Sequence, residues 1–330
     1  MTDAPPARRG AYLAPLFLFV LATLIPELLI GSTPLSRINT LVFQFPYYGS
    51  AALVIREVVR RHRLSRAGLL LLGVAFGIVT EGLALQSVFN PHFLNLDISF
   101  GRAGEVNWPW AVYMVGYHAL WSVTLPVTLA GIVFRKRQDE PWLGRGTAGT
   151  FLVLFVLMAF AFHAVFVKMS GFRAPAGPYL GAAMVVAALV VIALRLKRRE
   201  APAGAPPVPP WLAGIMMFGL GIFWLLLYGQ IFRHPPVAPA AWNLMAGLLL
   251  GAGFAGSIAR WAPEPGTSLQ RFWFVAGGLA ANTLFGFVVV SGSPLDTAGQ
   301  IAVALLVAAG LFVLGRRLRT SPPAGVEAEA

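Results

Sequence analysis

AGLLLLGVAFGIVTEGLALQSV, residues 67–88, is apolar almost throughout, yet it holds a carboxylate, Glu81, well inside the run. As a helix, a stretch of this length spans a hydrocarbon core about 30 Å thick. The pattern recurs on both sides. Apolar runs of span length occupy residues 13–32, 41–59, 67–88, 108–134, 149–169, 179–195, 211–232, 241–260, 272–291 and 299–315. They predict an all-α, polytopic integral membrane protein of about ten transmembrane helices, set in the cell membrane. A hydrophobic content of 57%, a charged content of 12% and a mean hydropathy of +0.72 exclude a soluble globular domain.

The formal charge of +12 raises the question of a nucleic-acid partner, and the placement of the charge answers it. With the N-terminus inside, Arg8, Arg9, Arg56, Arg60, Arg61, Arg63, Arg66, Arg135, Lys136, Arg137 and Arg145 fall in inner loops, and so do the basic residues around 195–199, 260–271 and 316–319. Only Arg37, Arg102, Lys168, Arg173 and Arg233 fall outside. The positive-inside rule then predicts both termini in the cytoplasm. The basic charge reads as a topology signal and a contact for the lipid bilayer, with no nucleic-acid footprint. The basic, apolar N-terminus reads as a retained first helix, because no small-residue cleavage site follows its span-length run.

EAPAGAPPVPP, residues 200–210, is too rich in proline for helix. It suggests a six-helix membrane domain at 1–199 with a buried Glu/His site, a cytoplasmic linker at 200–210 and a four-helix supporting domain at 211–330. The supporting spans carry no ionisable residue in their interiors, and Asn243 and Asn282 are their strongest polar groups. The outer loop from Asn90 to Trp108 reads as a solvated connection, with a lid as the alternative.

An ionisable group deep in a bilayer costs at least about 2.5 kcal/mol unless something compensates for it. Glu57 is explained by Arg60 and Arg61 at i+3 and i+4, an interfacial pairing. Glu27, Glu81, His118 and His163 are not so explained. Helix rise puts Glu27, Glu81 and His163 about 21 Å from the inner edge of the core and His118 about 15 Å from the outer edge, one layer on four helices. Such residues face the bundle and pair, so they predict one shared site. Glu81, His118 and His163 can ligate a divalent metal such as zinc, with Glu27 as base toward a bound water. Without metal, a sequestered carboxylate can take a proton from water while an imidazole stabilises an oxyanion. The same set can also relay protons or hold a coupling ion in a small-solute transporter, where Pro26 would free a backbone carbonyl. A structural, partner-binding role is the third reading. With no cysteine, no HExxH, no GxSxG and no phosphate loop, familiar soluble-enzyme motifs do not apply.

GVAFGIVTEGLALQ resembles the Glu-Glu-xxx-Arg helix of the CPBP group, the CAAX-type prenyl endopeptidases and bacteriocin-processing intramembrane proteases. MVGYH, ending at His118, is similar to that group's Phe-xxx-His helix, and HAVFV, from His163, to its His-xxx-Asn helix. The resemblance covers residues 67–169 and departs from the group's pattern at Thr80, Leu85, Met114 and Val167. It implies an intramembrane hydrolase acting on a membrane-embedded or lipidated peptide. Glu81 would activate water, and His118 and His163 would position it or stabilise the oxyanion.

Overall fold

The computed structural model describes residues 12–198, 209–231, 238–261, 268–290 and 293–320. The expected linker at 200–210 lies outside the described residues except for Pro209 and Pro210, as do the two termini. Ten helical rods make up the described chain. The first is α-helical over Leu13–Leu24 and π-helical over Ile25–Leu29 (α1). The second runs through Leu41–Gln44, a π turn at Phe45–Gly49 and Ser50–Arg61 (α2). Arg66–Ile78 continues as π helix over Val79–Ala84 (α3). Trp108–Tyr117 passes through a π segment at His118–Thr124 into Leu125–Val133 (α4).

The remaining rods are regular: Arg145–Ser170 (α5), Ala176–Arg195 (α6), Pro210–Ile231 (α7), Ala240–Trp261 (α8), Ser268–Val289 (α9) and Pro294–Thr320 (α10). Eight of the rods are long and apolar enough to cross a membrane, and α1 is a shorter apolar helix. The rods match the ten expected runs, although α5 and α10 overrun theirs at both ends. Hydropathy marks where a helix meets lipid, whereas caps mark where it stops. Thus α5 runs on to Gly171, whose left-handed φ of 66° closes it.

Helices on either side of residues 200–210 pack together. One buried apolar cluster joins Trp110, Tyr117 and Trp121 of α4 to Met217 and Trp224 of α7, Phe254 of α8, and Phe274 and Val275 of α9. Trp121 Nε1 donates to the Gly278 carbonyl of α9 at 3.0 Å, which ties α4 to the later helices. A second cluster gathers α1, α2, α3 and the C-terminal part of α4, with Leu18, Tyr47, Leu53, Phe76 and Val127.

The loop between α3 and α4 is exposed over much of its length, as a solvated connection would be, and it is also folded. Strands Arg102–Ala103 (β1) and Val106–Asn107 (β2) pair antiparallel. Ile98 and Asn107 are fully buried. Arg102 Nη1 donates to Phe89 O at 2.7 Å and to Asn107 Oδ1 at 2.8 Å, while Asn107 Nδ2 donates to Ser87 O at 3.3 Å and Asn90 O at 3.0 Å. The loop is therefore tied to the chain that leaves the C-terminal end of α3.

Candidate functional site

Glu81 reaches its neighbour because two glycines let two helices touch. Gly73, Gly77 and Glu81 recur every four residues and so share one face of α3. A Cβ at Gly73 would lie 2.9 Å from Ala119 O, and one at Gly77 would lie 2.8 Å from Val115 O. These approaches admit only glycine, and small residues at such spacing are a usual means of close packing between membrane helices. One turn further along the same face, Glu81 meets His118.

His118 Nε2–H donates to Glu81 Oε1 at 2.8 Å. In that tautomer Nδ1 accepts from the Ser122 hydroxyl at 2.9 Å. The other carboxylate oxygen, Glu81 Oε2, accepts from Ser87 Oγ, which in turn accepts from Trp110 Nε1 at 3.0 Å. The chain Trp110–Ser87–Glu81–His118–Ser122 is buried along its whole length, with Glu81 1% and His118 3% exposed. Phe76, Tyr48 and Tyr117 pack around the imidazole with ring centroids 5.7, 5.9 and 5.9 Å away.

Glu27 occupies a pocket of its own beside this chain. Its Oε2 accepts from Thr33 Oγ1 at 2.7 Å, Ser32 Oγ at 3.0 Å and Gln44 Nε2 at 3.2 Å. The Tyr48 hydroxyl faces it, and His118 lies within electrostatic reach. Pro26 opens the π turn here, since it has no N–H to give to the helix. The carbonyls at that turn are taken by side chains from other helices. Ile25 O accepts from Asn282 Nδ2 at 3.0 Å, Pro26 O from Tyr117 Oη at 3.4 Å and Leu29 O from Gln300 Nε2 at 2.8 Å. Asn282, expected to be plain scaffold, thus holds the helix that carries Glu27.

His163 does not join the pair. Its Nδ1–H donates to the Leu83 carbonyl at 2.9 Å, and the ring lies edge-on to Tyr179 with centroids 5.9 Å apart. It sits beside α3 at the level of the site but on another side, because helix rise fixes depth and leaves rotation free. The expected three-ligand metal set of Glu81, His118 and His163 is therefore not assembled. No group of three or more His, Asp or Glu side chains able to hold a metal occurs among the described residues.

Among the residues not anticipated, Ser87 and Ser122 lie six and four positions after Glu81 and His118, close enough for the spacing to have flagged them. Thr80, where the CPBP pattern has its first glutamate, gives its hydroxyl to Phe76 O at 2.9 Å and accepts from Tyr47 Oη at 2.9 Å. Glu57 behaves as expected toward Arg61, at 3.3 Å, but its closer partners are Arg56 at 2.9 Å and the Trp142 N–H at 2.7 Å, while Arg60 turns to Asp139.

Each π segment carries part of this constellation: Glu27 in α1, Tyr47 and Tyr48 in α2, Glu81 in α3 and His118 in α4. Single π turns inside α-helices are frequent at functional sites. Residues 16–174, which include all four segments, match an uncharacterized membrane protein family. The match is to that family and not to the CPBP group. No curated protein and no solved structure matches the chain. The chain is an all-α, multi-pass integral membrane protein.

Proposed function

We propose that Glu81 and His118 form a proton-transfer centre and that the chain uses it as the general base of an intramembrane hydrolase acting on a membrane-embedded or lipidated peptide. The observation that carries this reading is the 2.8 Å contact between Glu81 Oε1 and His118 Nε2 inside the bundle. A carboxylate and an imidazole that share a proton can accept one from water and return it to a leaving group. Water would take the place of the Ser87 hydroxyl on Glu81 Oε2. As its oxygen bonds to the scissile carbonyl carbon, its proton passes to Glu81, and the departing amine receives that proton as the C–N bond breaks. His118, steadied by Ser122, holds the other carboxylate oxygen throughout. His163 has no part in this scheme, which separates it from the one implied by the CPBP resemblance. The basic side of the bundle is taken to be cytoplasmic, in line with the distribution of charge.

The test uses proteoliposomes containing embedded reporter peptides, with and without a lipidated cysteine, in water labelled with heavy oxygen. The wild type should produce new carboxyl termini that carry the label, and Glu81→Gln should reduce them at least about 100-fold with the fold intact. Equal yields from both proteins would overturn the proposal.

A second reading, proton-coupled transport of a small solute, is favoured by one observation. Both oxygens of Glu81 are engaged and the pair is sealed, while Glu27 waits in a separate oxygen-lined pocket at the same level. Solute-dependent proton flux into dye-loaded vesicles, abolished by Glu81→Gln and unaccompanied by cleavage, would select it.

A further inference from the structure

The loop between α4 and α5, residues 134–144, gathers arginines from several helices. Arg56 Nη2 donates to the carbonyls of Arg137, Gln138 and Glu140 at 3.3, 3.1 and 2.9 Å, and its guanidinium lies 3.3 Å above the Trp142 ring. Arg61 donates to Leu143 O. Arg60 and Arg198 share one oxygen of Asp139 at 3.0 and 3.3 Å, and Arg271 Nη1 donates to Gln138 Oε1 at 2.9 Å. Glu57 pairs with Arg56 and Arg61, although its Oε2, 3.3 Å from Arg61, makes no hydrogen bond, and Glu140 faces Arg137 at 3.8 Å. The acceptors of the loop are largely used up by these contacts.

Donors remain. Arg60 Nε, Arg66 Nη1 and Arg271 Nε are buried with no hydrogen-bond partner. Arg271 as a residue is only 8% exposed. Arg66 lies within electrostatic reach of Arg271, Arg60 and Arg198, and all three repel it. Arg66 also opens α3, where the helix dipole adds further positive potential. Among the described residues, Asp139 is the one carboxylate set against this group, and it is about half exposed. Like charges held together, with Arg271 buried and N–H groups left unbonded on all three, indicate a missing acceptor that is itself anionic.

We propose that Arg60, Arg66 and Arg271 form a binding site for a phosphate-bearing anion on the basic side of the bundle. Guanidinium groups approaching from three helices, α2, α3 and α9, suit a tetrahedral group with several oxygens better than a planar carboxylate, and arginine forks match phosphate in geometry. The anion can be the headgroup of an acidic phospholipid or a soluble phosphate compound.

Purified protein in neutral detergent is melted alone and with phosphatidylglycerol, phosphatidylcholine or inorganic pyrophosphate. Phosphatidylglycerol, pyrophosphate or both should raise the melting temperature of the wild type, while phosphatidylcholine should not. A response to the lipid alone assigns the site to a headgroup, and a response to pyrophosphate shows that the free anion suffices. The Arg66→Gln, Arg271→Gln double variant should bind the active anion at least about tenfold more weakly. Without anion it should melt no lower than the wild type, because like charges have been removed; that separates lost binding from lost folding. Arg66→Lys, which keeps the charge without the fork, should bind with intermediate affinity, and the exposed Arg173→Gln should respond as the wild type does. Absence of any shift, an unchanged shift in the double variant, or an equal loss in Arg173→Gln would overturn the proposal.

Discussion

α5 and the adjoining pair α3 and α4 are all apolar enough to span a membrane, yet they do opposite things in the bundle. α5 is a straight 26-residue helix with no buried residue, and Leu152, Val153, Leu157, Phe160 and Val165 are exposed along it. A helix that is apolar on all sides needs no particular partner in a bilayer, since lipid tails satisfy it as well as another helix does. α3 and α4 are irregular, each interrupted by a π segment, and the π segment of α4 is buried at every position. Non-helical backbone at membrane depth is tolerated only where protein or a cavity surrounds it. In this comparison irregular backbone goes with burial and the regular helix with exposure.

The most severe way to break this contrast is to remove one half of the buried pair. His118→Leu leaves the Glu81 carboxylate with Ser87 as its side-chain partner and should cost about 3–5 kcal/mol of stability. The double variant Glu81→Leu, His118→Leu should recover most of that loss, because two apolar side chains can replace a buried pair at little net cost. Phe160→Leu on α5 should stay within about 0.5 kcal/mol of the wild type. Reversible unfolding in mixed micelles checks all three. A small loss for His118→Leu would mean that the pair is not closed to solvent.

Next in size is the helix contact that creates the pair. Gly77→Ala puts a methyl 2.8 Å from the Val115 carbonyl and 3.3 Å from His118 Cβ, and should cost about 1–3 kcal/mol. It should also pull Glu81 and His118 apart, which the carboxylate stretch in an infrared spectrum would register. Gly149→Ala on α5, with nothing within 4 Å, should leave stability unchanged or slightly raised.

Asn282→Ala removes the donor to Ile25 O and the acceptor facing Tyr117, and should cost about 0.6 kcal/mol and at most about 1.7. Its effect on the π turn that presents Glu27 should exceed that of Asn243→Ala, whose described bond is a 3.5 Å contact to Leu227 O. Measuring both in the labelled-water assay distinguishes them: loss confined to Asn282→Ala ties α9 to the site, and equal effects would return both amides to scaffold.

The ten rods, and the common level at which Glu81 and His118 meet, were legible in the sequence because span length and helix rise are one-dimensional quantities. Glu81 and His118 could be paired in outline for the same reason. Rotation about the helix axis was not legible, and it is what excluded His163. The contact face of α3 was written in Gly73, Gly77 and Glu81, whose four-residue spacing puts them on one side of the helix. The π turns at Glu81 and His118 carry no proline in place of the missing geometry, so propensity gave no warning of them, whereas Pro26 and Pro46 marked the other two. The interior of the loop at 90–108 was hidden because its order depends on Asn107 and Arg102 reaching backbone carbonyls far along the chain.

The smallest expected effect tests the sharpest distinction, that between the two histidines. His163 is half-buried and makes its bond to a backbone carbonyl that lies beyond Glu81 on α3, so His163→Leu should cost about 0.6 kcal/mol, the worth of one interhelical hydrogen bond. It should leave the infrared signature of the Glu81 carboxylate in place and the yield of labelled product within about threefold of the wild type, a change of less than about 0.7 kcal/mol in barrier. His118→Leu, by contrast, removes the donor that holds Glu81 Oε1 through the reaction and, compared per folded molecule, should lose product at least about 100-fold. If the two variants lost activity equally, His163 would have to swing from the Leu83 carbonyl to the pair during turnover. The depth expected from helix rise, which puts all four residues in one layer, would then have been the better guide to the site than the contacts made at rest.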